Sequence, residues 1–139
     1  MADLTLYTNP MSRGRIARWM IEETGQPYDT VILPFGAAMK SAQYRAVNPM
    51  GKVPAVRHGD VVVTECAAIC AYLADTFPEA RLAPPGPQRG SYYRWLFFAA
   101  GPLEAAVSNR SLGFEVSEER RRMIGYGRFE DVMDTLEIA

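Results

Sequence analysis

Apolar and polar positions first alternate at Leu4-Thr5-Leu6-Tyr7, the period of a strand with one buried face, and Asn9-Pro10 ends the run. Ser12 is placed to cap a helix ending at Gly25, with Ile16, Trp19, Met20 and the stem of Glu23 on its inner face and Arg13, Arg15 and Arg18 outside. Residues 28–33 read as a second strand, so the opening is a βαβ unit with parallel strands and a right-handed crossover. After a Pro34-Phe35-Gly36 loop, residues 41–47 suit a short helix. Ala55-Val56-Arg57 and Val61-Val62-Val63 flank a His58-Gly59-Asp60 turn and form a hairpin, with His58 as a turn residue. Thr64 is positioned to cap another helix, and Cys66, Ile69, Cys70, Leu73 and Phe77 share one stripe of it, which makes Cys70 a core residue. The predicted order βαβ-α-ββ-α is an α/β fold, a small mixed sheet covered by helices.

The pattern then changes. Pro, Gly and Ala dominate residues 79–90, which read as a linker after a first domain over 1–78. Residues 91–139 look wholly helical. Residues 92–112 are apolar nearly all round, with a kink expected at Pro102. Ser117-Glu118-Glu119 signals the start of a last helix running through Phe129, Val132, Met133 and Leu136. The chain stops at Ile138-Ala139 with no glycine or proline to end that helix, so the expectation is an incomplete helical domain, or one covered by another chain.

Composition narrows the class. In 139 residues, 48% hydrophobic and 22% charged content is that of a globular protein, and a net charge of −1 offers no general attraction to nucleic acid or anionic membrane. The longest apolar run, residues 95–100, is too short to cross a bilayer. Met1-Ala2-Asp3 leads straight into the first strand without the pattern of a signal peptide, which predicts a cytoplasmic address. Cys66 and Cys70, one helical turn apart, have Cβ atoms about 5–6 Å apart against the roughly 3.5–4.5 Å of a disulfide, so both are expected reduced. With one histidine and no CxxC, no protein metal site is expected.

The candidate chemistry gathers around Asn48-Pro49-Met50-Gly51-Lys52-Val53-Pro54-Ala55 and Thr64-Glu65-Cys66. Val53, extended ahead of a proline, offers its N–H and C=O to an incoming peptide. The first-turn amides at Glu65, Cys66 and Ala67 suit a carboxylate, and the Glu65 side chain suits an ammonium beside it. Lys40 and Lys52 supply cations for a second carboxylate, and Ser12 supplies a hydroxyl at a helix start. The indicated ligand has an amino-acid head, a peptide middle and a carboxylate tail.

These pieces in this order, Tyr7-Thr8-Asn9-Pro10-Met11-Ser12-Arg13, Met39-Lys40-Ser41, Asn48 through Ala55 and Thr64-Glu65-Cys66, resemble the N-terminal domain of a cytosolic glutathione transferase. The resemblance implies a thioredoxin-like domain followed by the first helices of an all-helical domain, and glutathione as co-substrate. It implies that Val53 pairs with the cysteinyl backbone just before a cis Pro54, that Glu65 and Cys66 hold the γ-glutamyl head, and that Lys40 and Lys52 hold the glycyl end. Cys66 departs from the family, where serine is usual; its amide survives the change, while a thiol is a weaker donor than a hydroxyl.

Ser12 matches the serine of the serine-using classes, whose hydroxyl favours the glutathione thiolate, with Tyr7 and Thr8 as rivals. Read without the resemblance, Tyr7 is a strand residue and Ser12 a helix cap. Arg13 stands where a cysteine-using class has its cysteine. The implied activity is conjugation of glutathione to a hydrophobic electrophile, of the kind used in detoxification, in a homodimer without metal. The alternatives are a glutathione-dependent disulfide reductase or peroxidase, and a non-catalytic transferase-like interaction protein.

Overall fold

The computed structural model describes residues 2–139 in two compact units, one ending at Pro84 and one beginning at Pro85. The first unit contains β1 (Leu4–Thr8), α1 (Gly14–Thr24), β2 (Tyr28–Ile32), α2 (Ala42–Arg45), β3 (Ala55–His58), β4 (Val61–Thr64) and α3 (Cys66–Thr76). The sheet order is β2-β1-β3-β4, with β1 parallel to β2 and the other pairs antiparallel. This is the βαβ-α-ββ-α order predicted from the pattern, and the thioredoxin-like α/β domain that the resemblance implied.

Alternation along β1 sends Leu4, Leu6 and Thr8 to one face, where Leu4 and Leu6 meet Ala17 and Ile21 of α1, Val56 of β3, and Ile69 and Leu73 of α3. Leu6, Ile21, Val56, Ile69 and Leu73 are fully buried, each contributing about 1.5–3 kcal/mol of transfer free energy. Tyr7 points to the other face, its ring 5.7 Å from that of Tyr44 on α2.

Several expectations change at the residue level. The inner face of α1 is Gly14, Ala17, Ile21 and Thr24, whereas Ile16 and Trp19 are exposed. The cause is close packing at the helix start: a Cβ on Gly14 would stand 2.0 Å from Thr8 Oγ1, so the face that carries Gly14 is the one that fits against β1. The Trp19 indole donates outward to Glu23 (2.8 Å). Ser12 precedes the helix, yet its hydroxyl accepts from Gly14 N (3.0 Å) and so still serves the helix start. Thr64 remains in β4, and Glu65, not Thr64, is the N-cap of α3. Cys70 is half-buried, because Ile69, Leu73 and Ala74 take the inward face. Both cysteines are free thiols, as expected.

His58 is more than a turn residue. One ring nitrogen lies 2.9 Å from Tyr72 Oη and the other 3.1 Å from Asp3 Oδ2, and the ring packs on Phe77. It ties the β3–β4 turn to α3.

In the second unit, α4 (Arg89–Phe98) passes through a π-helical turn, Ala99–Leu103, into α5 (Glu104–Ser111). The expected effect of Pro102 is met by that wider turn, which accommodates a residue without an N–H. The helix predicted from Ser117 onward is broken. Glu118–Met123 is a 3₁₀ helix, Ile124 turns extended, Gly127 adopts φ 68°, and α6 (Phe129–Glu137) starts afresh. Arg121 pairs with Glu118, and Arg120 and Arg122 are exposed. Few side chains in this unit are fully buried, Ala106 and Val132 among them, while Phe97, Leu112, Phe114, Met123 and Ile138 are exposed. No helix among the described residues is long and apolar enough to cross a membrane.

Candidate functional site

Three short segments at one end of the sheet build the site. The first is the β1–α1 loop. Asn9 is buried, its Nδ2 donates to Leu33 O (2.8 Å), and its Oδ1 accepts from Met11 N (2.9 Å). Its carbonyl accepts from Ser12 N (3.0 Å) and from the Ser12 hydroxyl (2.7 Å). That hydroxyl therefore stands fixed at the start of α1, donating to Asn9 O and accepting from Gly14 N.

The second segment runs from Asn48 to Pro54. Asn48 is buried and repeats the same turn: Oδ1 accepts from Met50 N (3.0 Å) and its carbonyl from Gly51 N (2.8 Å). Its Nδ2 donates to Lys52 O (2.8 Å), which also accepts from Tyr44 Oη (2.7 Å). Burial, reinforced by the neighbouring Tyr7 and opposed by the hydrogen bond with Asn48, pushes the Tyr44 hydroxyl up to about 12. It remains a protonated donor at neutral pH.

Lys40 Nζ donates to Met50 O (2.8 Å) and Gly51 O (3.0 Å), using two of its three N–H bonds to hold this loop. Gly51 has φ 59°, and a Cβ there would lie 2.4 Å from Met39 O, so no other residue fits. The Val53–Pro54 peptide is cis. The β3 ladder begins only at Ala55, and no described residue hydrogen-bonds the Val53 backbone. Its N–H and C=O stand free on an edge.

The third segment is the start of α3. Glu65 holds φ 66° and ψ 119°, a conformation that costs about 1–3 kcal/mol for a residue with a Cβ. The Glu65 side chain itself makes no capping hydrogen bond to the first turn that follows. The Cys66 thiol donates to Arg13 O at 3.7 Å, which brings the start of α3 against the start of α1. A hydrogen bond with Cys66 holds the Cys70 thiol below its ordinary value, with burial opposing.

Ser12, Lys40, Lys52 and Val53 line one cavity of about 300 Å³, and Arg13 lines it with them. That volume is at the lower end of small-ligand pockets, roughly 300–1,000 Å³. Three cations and no carboxylate stand on its walls. Of the other candidate residues, Pro54, Glu65 and Cys66 do not line the cavity: Pro54 is buried, and Cys66 reaches the lining residue Arg13 through its thiol. Tyr7 stacks near Tyr44 with Arg57 5.9 Å from its ring, and Thr8 is buried with its hydroxyl against Gly14. Neither lines the cavity.

Sequence reasoning missed Asn9, Asn48 and Tyr44, the residues that hold the lining in place. A signal for the first two was present: Asn-Pro-Met occurs at 9–11 and again at 48–50.

A family model described as the glutathione S-transferase, N-terminal domain, matches residues 2–75. The chain is 30% identical over 102 residues to glutathione S-transferase GST-4.5 of Xanthomonas campestris pv. campestris, covering 72% of this chain and 50% of that protein. Among solved structures it resembles a glutathione transferase from Methylococcus capsulatus (TM-score 0.76, 27% identity, 96% of this chain and 68% of the other). It also resembles a glutathione transferase homologue from Sulfitobacter with bound glutathione (TM-score 0.70, 29% identity, 98% and 64%). The chain spans half or less of the length of the curated relatives it matches most strongly.

Proposed function

The chain belongs to the glutathione S-transferase family, and from that premise we propose that it binds glutathione across these three segments and adds its thiolate to an electrophilic, mostly apolar second substrate. The observation that carries the reading is the single cavity in which Ser12, Lys40, Lys52 and the free Val53 backbone meet. In this reading Val53 pairs with the cysteinyl backbone. The glycyl carboxylate takes the Lys52 ammonium, to which no described residue is paired, and the remaining donor of Lys40. The γ-glutamyl carboxylate takes the first-turn amides at the positive end of α3, and its ammonium takes Glu65. The held backbone of Glu65 supports a binding role, since such conformations cluster at ligand sites.

Ser12 then acts on the sulfur. A free thiol titrates near 8.5, and lowering it by about two units needs roughly 2.7 kcal/mol of preferential thiolate stabilisation. Turning the Ser12 hydroxyl from Asn9 O to a thiolate exchanges a neutral hydrogen bond for a charge-assisted one of about twice the strength. Asn9 O keeps its bond from Ser12 N, so no buried carbonyl is orphaned. The thiolate attacks the electrophilic carbon, forming the C–S bond as the leaving group departs with its electron pair.

Retention on immobilised glutathione together with halide release from an aryl halide is the expected result. With Ser12→Ala, conjugation should fall about 10²-fold, as for loss of one donor to a developing or stored anion. Unchanged turnover would remove the role from Ser12. Binding without any turnover supports the interaction-protein alternative, and turnover of disulfides or peroxides alone supports the reductase or peroxidase alternative. Homodimer formation is supported by the exposed apolar residues of the second unit, and a cytoplasmic address by two free thiols.

A further inference from the structure

We propose that Cys66 and Cys70 form a dithiol site that captures a trivalent organoarsenical through both sulfurs. It uses two sulfur atoms to which the reading above gives no role, and it does not depend on that reading. The chain has two cysteines, and both stand on α3, one helical turn apart, half-buried and outside any disulfide. Ile69, Leu73 and Ala74 bury the inward face of the helix, so the two thiols are carried side by side on an anchored stretch of backbone.

Spacing selects what the pair can take. Cβ atoms one turn apart on a helix are about 5–6 Å from each other, against the roughly 3.5–4.5 Å that suits a direct disulfide. The sulfurs are nonetheless within hydrogen-bond reach of one another. A single bridging atom with thiolate bonds of about 2.3 Å, the length found at zinc, spans sulfurs up to about 4.6 Å apart, twice that bond. Zinc itself takes four ligands, and no group of three or more His, Cys, Asp and Glu side chains that could hold a metal ion stands among the described residues. A soft centre that needs only two protein thiolates and brings its own third substituent fits, and trivalent arsenic bonded to carbon is such a centre.

Little in the fold is given up when the site fills. The Cys66 thiol donates to Arg13 O at 3.7 Å, a weak bond from sulfur, and that carbonyl keeps its bond from Ile16 N (2.9 Å). With an arsenic oxide as the ligand, two S–H bonds and the arsenic–oxygen bonding are exchanged for two As–S bonds, and the oxygen leaves as water with both protons. Arsenic stays trivalent and neither sulfur is oxidised. Once the first As–S bond has formed, the second closes within the chain at an effective concentration of about millimolar or more, so two thiols in register hold what one does not.

The test titrates the protein with phenylarsine oxide and counts the remaining thiols with an aromatic disulfide reagent. One equivalent should remove both thiols and leave one phenylarsenic group per chain by mass spectrometry. Dithiothreitol should release that group, and mercaptoethanol should not. In Cys66→Ser and in Cys70→Ser the concentration for half-saturation should rise about a hundredfold or more, the gain that linking two contacts supplies. Absence of an adduct, two arsenicals per chain, release from the native chain by mercaptoethanol, or undiminished affinity in either single variant overturns the inference. The stoichiometry and the contrast between the two releasing thiols are read on the native chain, so they decide the matter even where a variant fails to fold.

Discussion

Two turns of the first unit share one sequence and one local geometry, and they differ in what they are tied to. In each, a buried asparagine precedes Pro-Met, its side-chain carbonyl accepts from the methionine amide, and its backbone carbonyl accepts from the residue after it. At Asn9 the side-chain amide reaches Leu33 O, 24 residues away at the end of β2. At Asn48 it reaches Lys52 O, four residues away, with Tyr44 on the same oxygen. The first turn thus places Ser12 by attachment to the sheet, while the second is a self-contained loop that presents Val53. One motif supplies a reactive hydroxyl and the other a binding edge, because their fourth residues differ. Ser12 keeps an ordinary backbone, whereas Gly51 must adopt φ 59° under the carbonyl of Met39.

That contrast can be broken at its strongest point first. Gly51→Ala places a Cβ against backbone in a positive-φ position, and unfolding by urea should show a loss of about 3 kcal/mol or more. No comparable loss is expected for Ser12→Ala, which forfeits the bond from Gly14 N and the bond to Asn9 O, a carbonyl that keeps its bond from Ser12 N, at a cost of about 1–2 kcal/mol. Equal losses at the two positions would show that the turns are equivalent after all.

The asparagines come next. Asn9→Ala strands Leu33 O and Met11 N and should cost about 2–3 kcal/mol, with a fall in turnover because Ser12 shifts. Asn48→Ala leaves Lys52 O its bond from Tyr44, so about 1–2 kcal/mol is expected, with the effect falling on glutathione affinity. If Asn48→Ala altered turnover and spared affinity, the division of labour between the turns would be wrong.

The smallest effect concerns Tyr44. Its hydroxyl is raised from 10.0 to about 12 in the folded chain, chiefly by burial. The unfolded chain loses this proton near pH 10 and the folded chain only near 12, so the contribution is fully present below pH 10 and declines as pH rises toward 12. Denaturation followed across that window should show a shallower decline in Tyr44→Phe.

The sequence by itself determined the order of elements in the first unit, because strand alternation and helix periodicity are local and Gly25, Ser41 and Gly59 stop or start them where expected. It also determined the residue types of the site, since Ser12, Lys40, Lys52 and Val53 lie in short motifs of fixed spacing. Only the tertiary structure decided which face of α1 is buried, as Gly14 packs so close to Thr8 that a Cβ would stand 2.0 Å from its Oγ1, and this fit outranks the apolarity of Trp19 and Ile16. It alone separated Tyr7 and Thr8 from the cavity, since one lies on the far face of the sheet and the other beneath α1. The break between Met123 and Phe129 is not encoded by the capping signal at Ser117, and it falls at Gly125 and Gly127, the second of which adopts φ 68°. The partners of Asn9, Asn48 and Tyr44 were not legible either, since a buried polar group is satisfied by whatever the fold brings within 3 Å, and distance along the chain does not encode that.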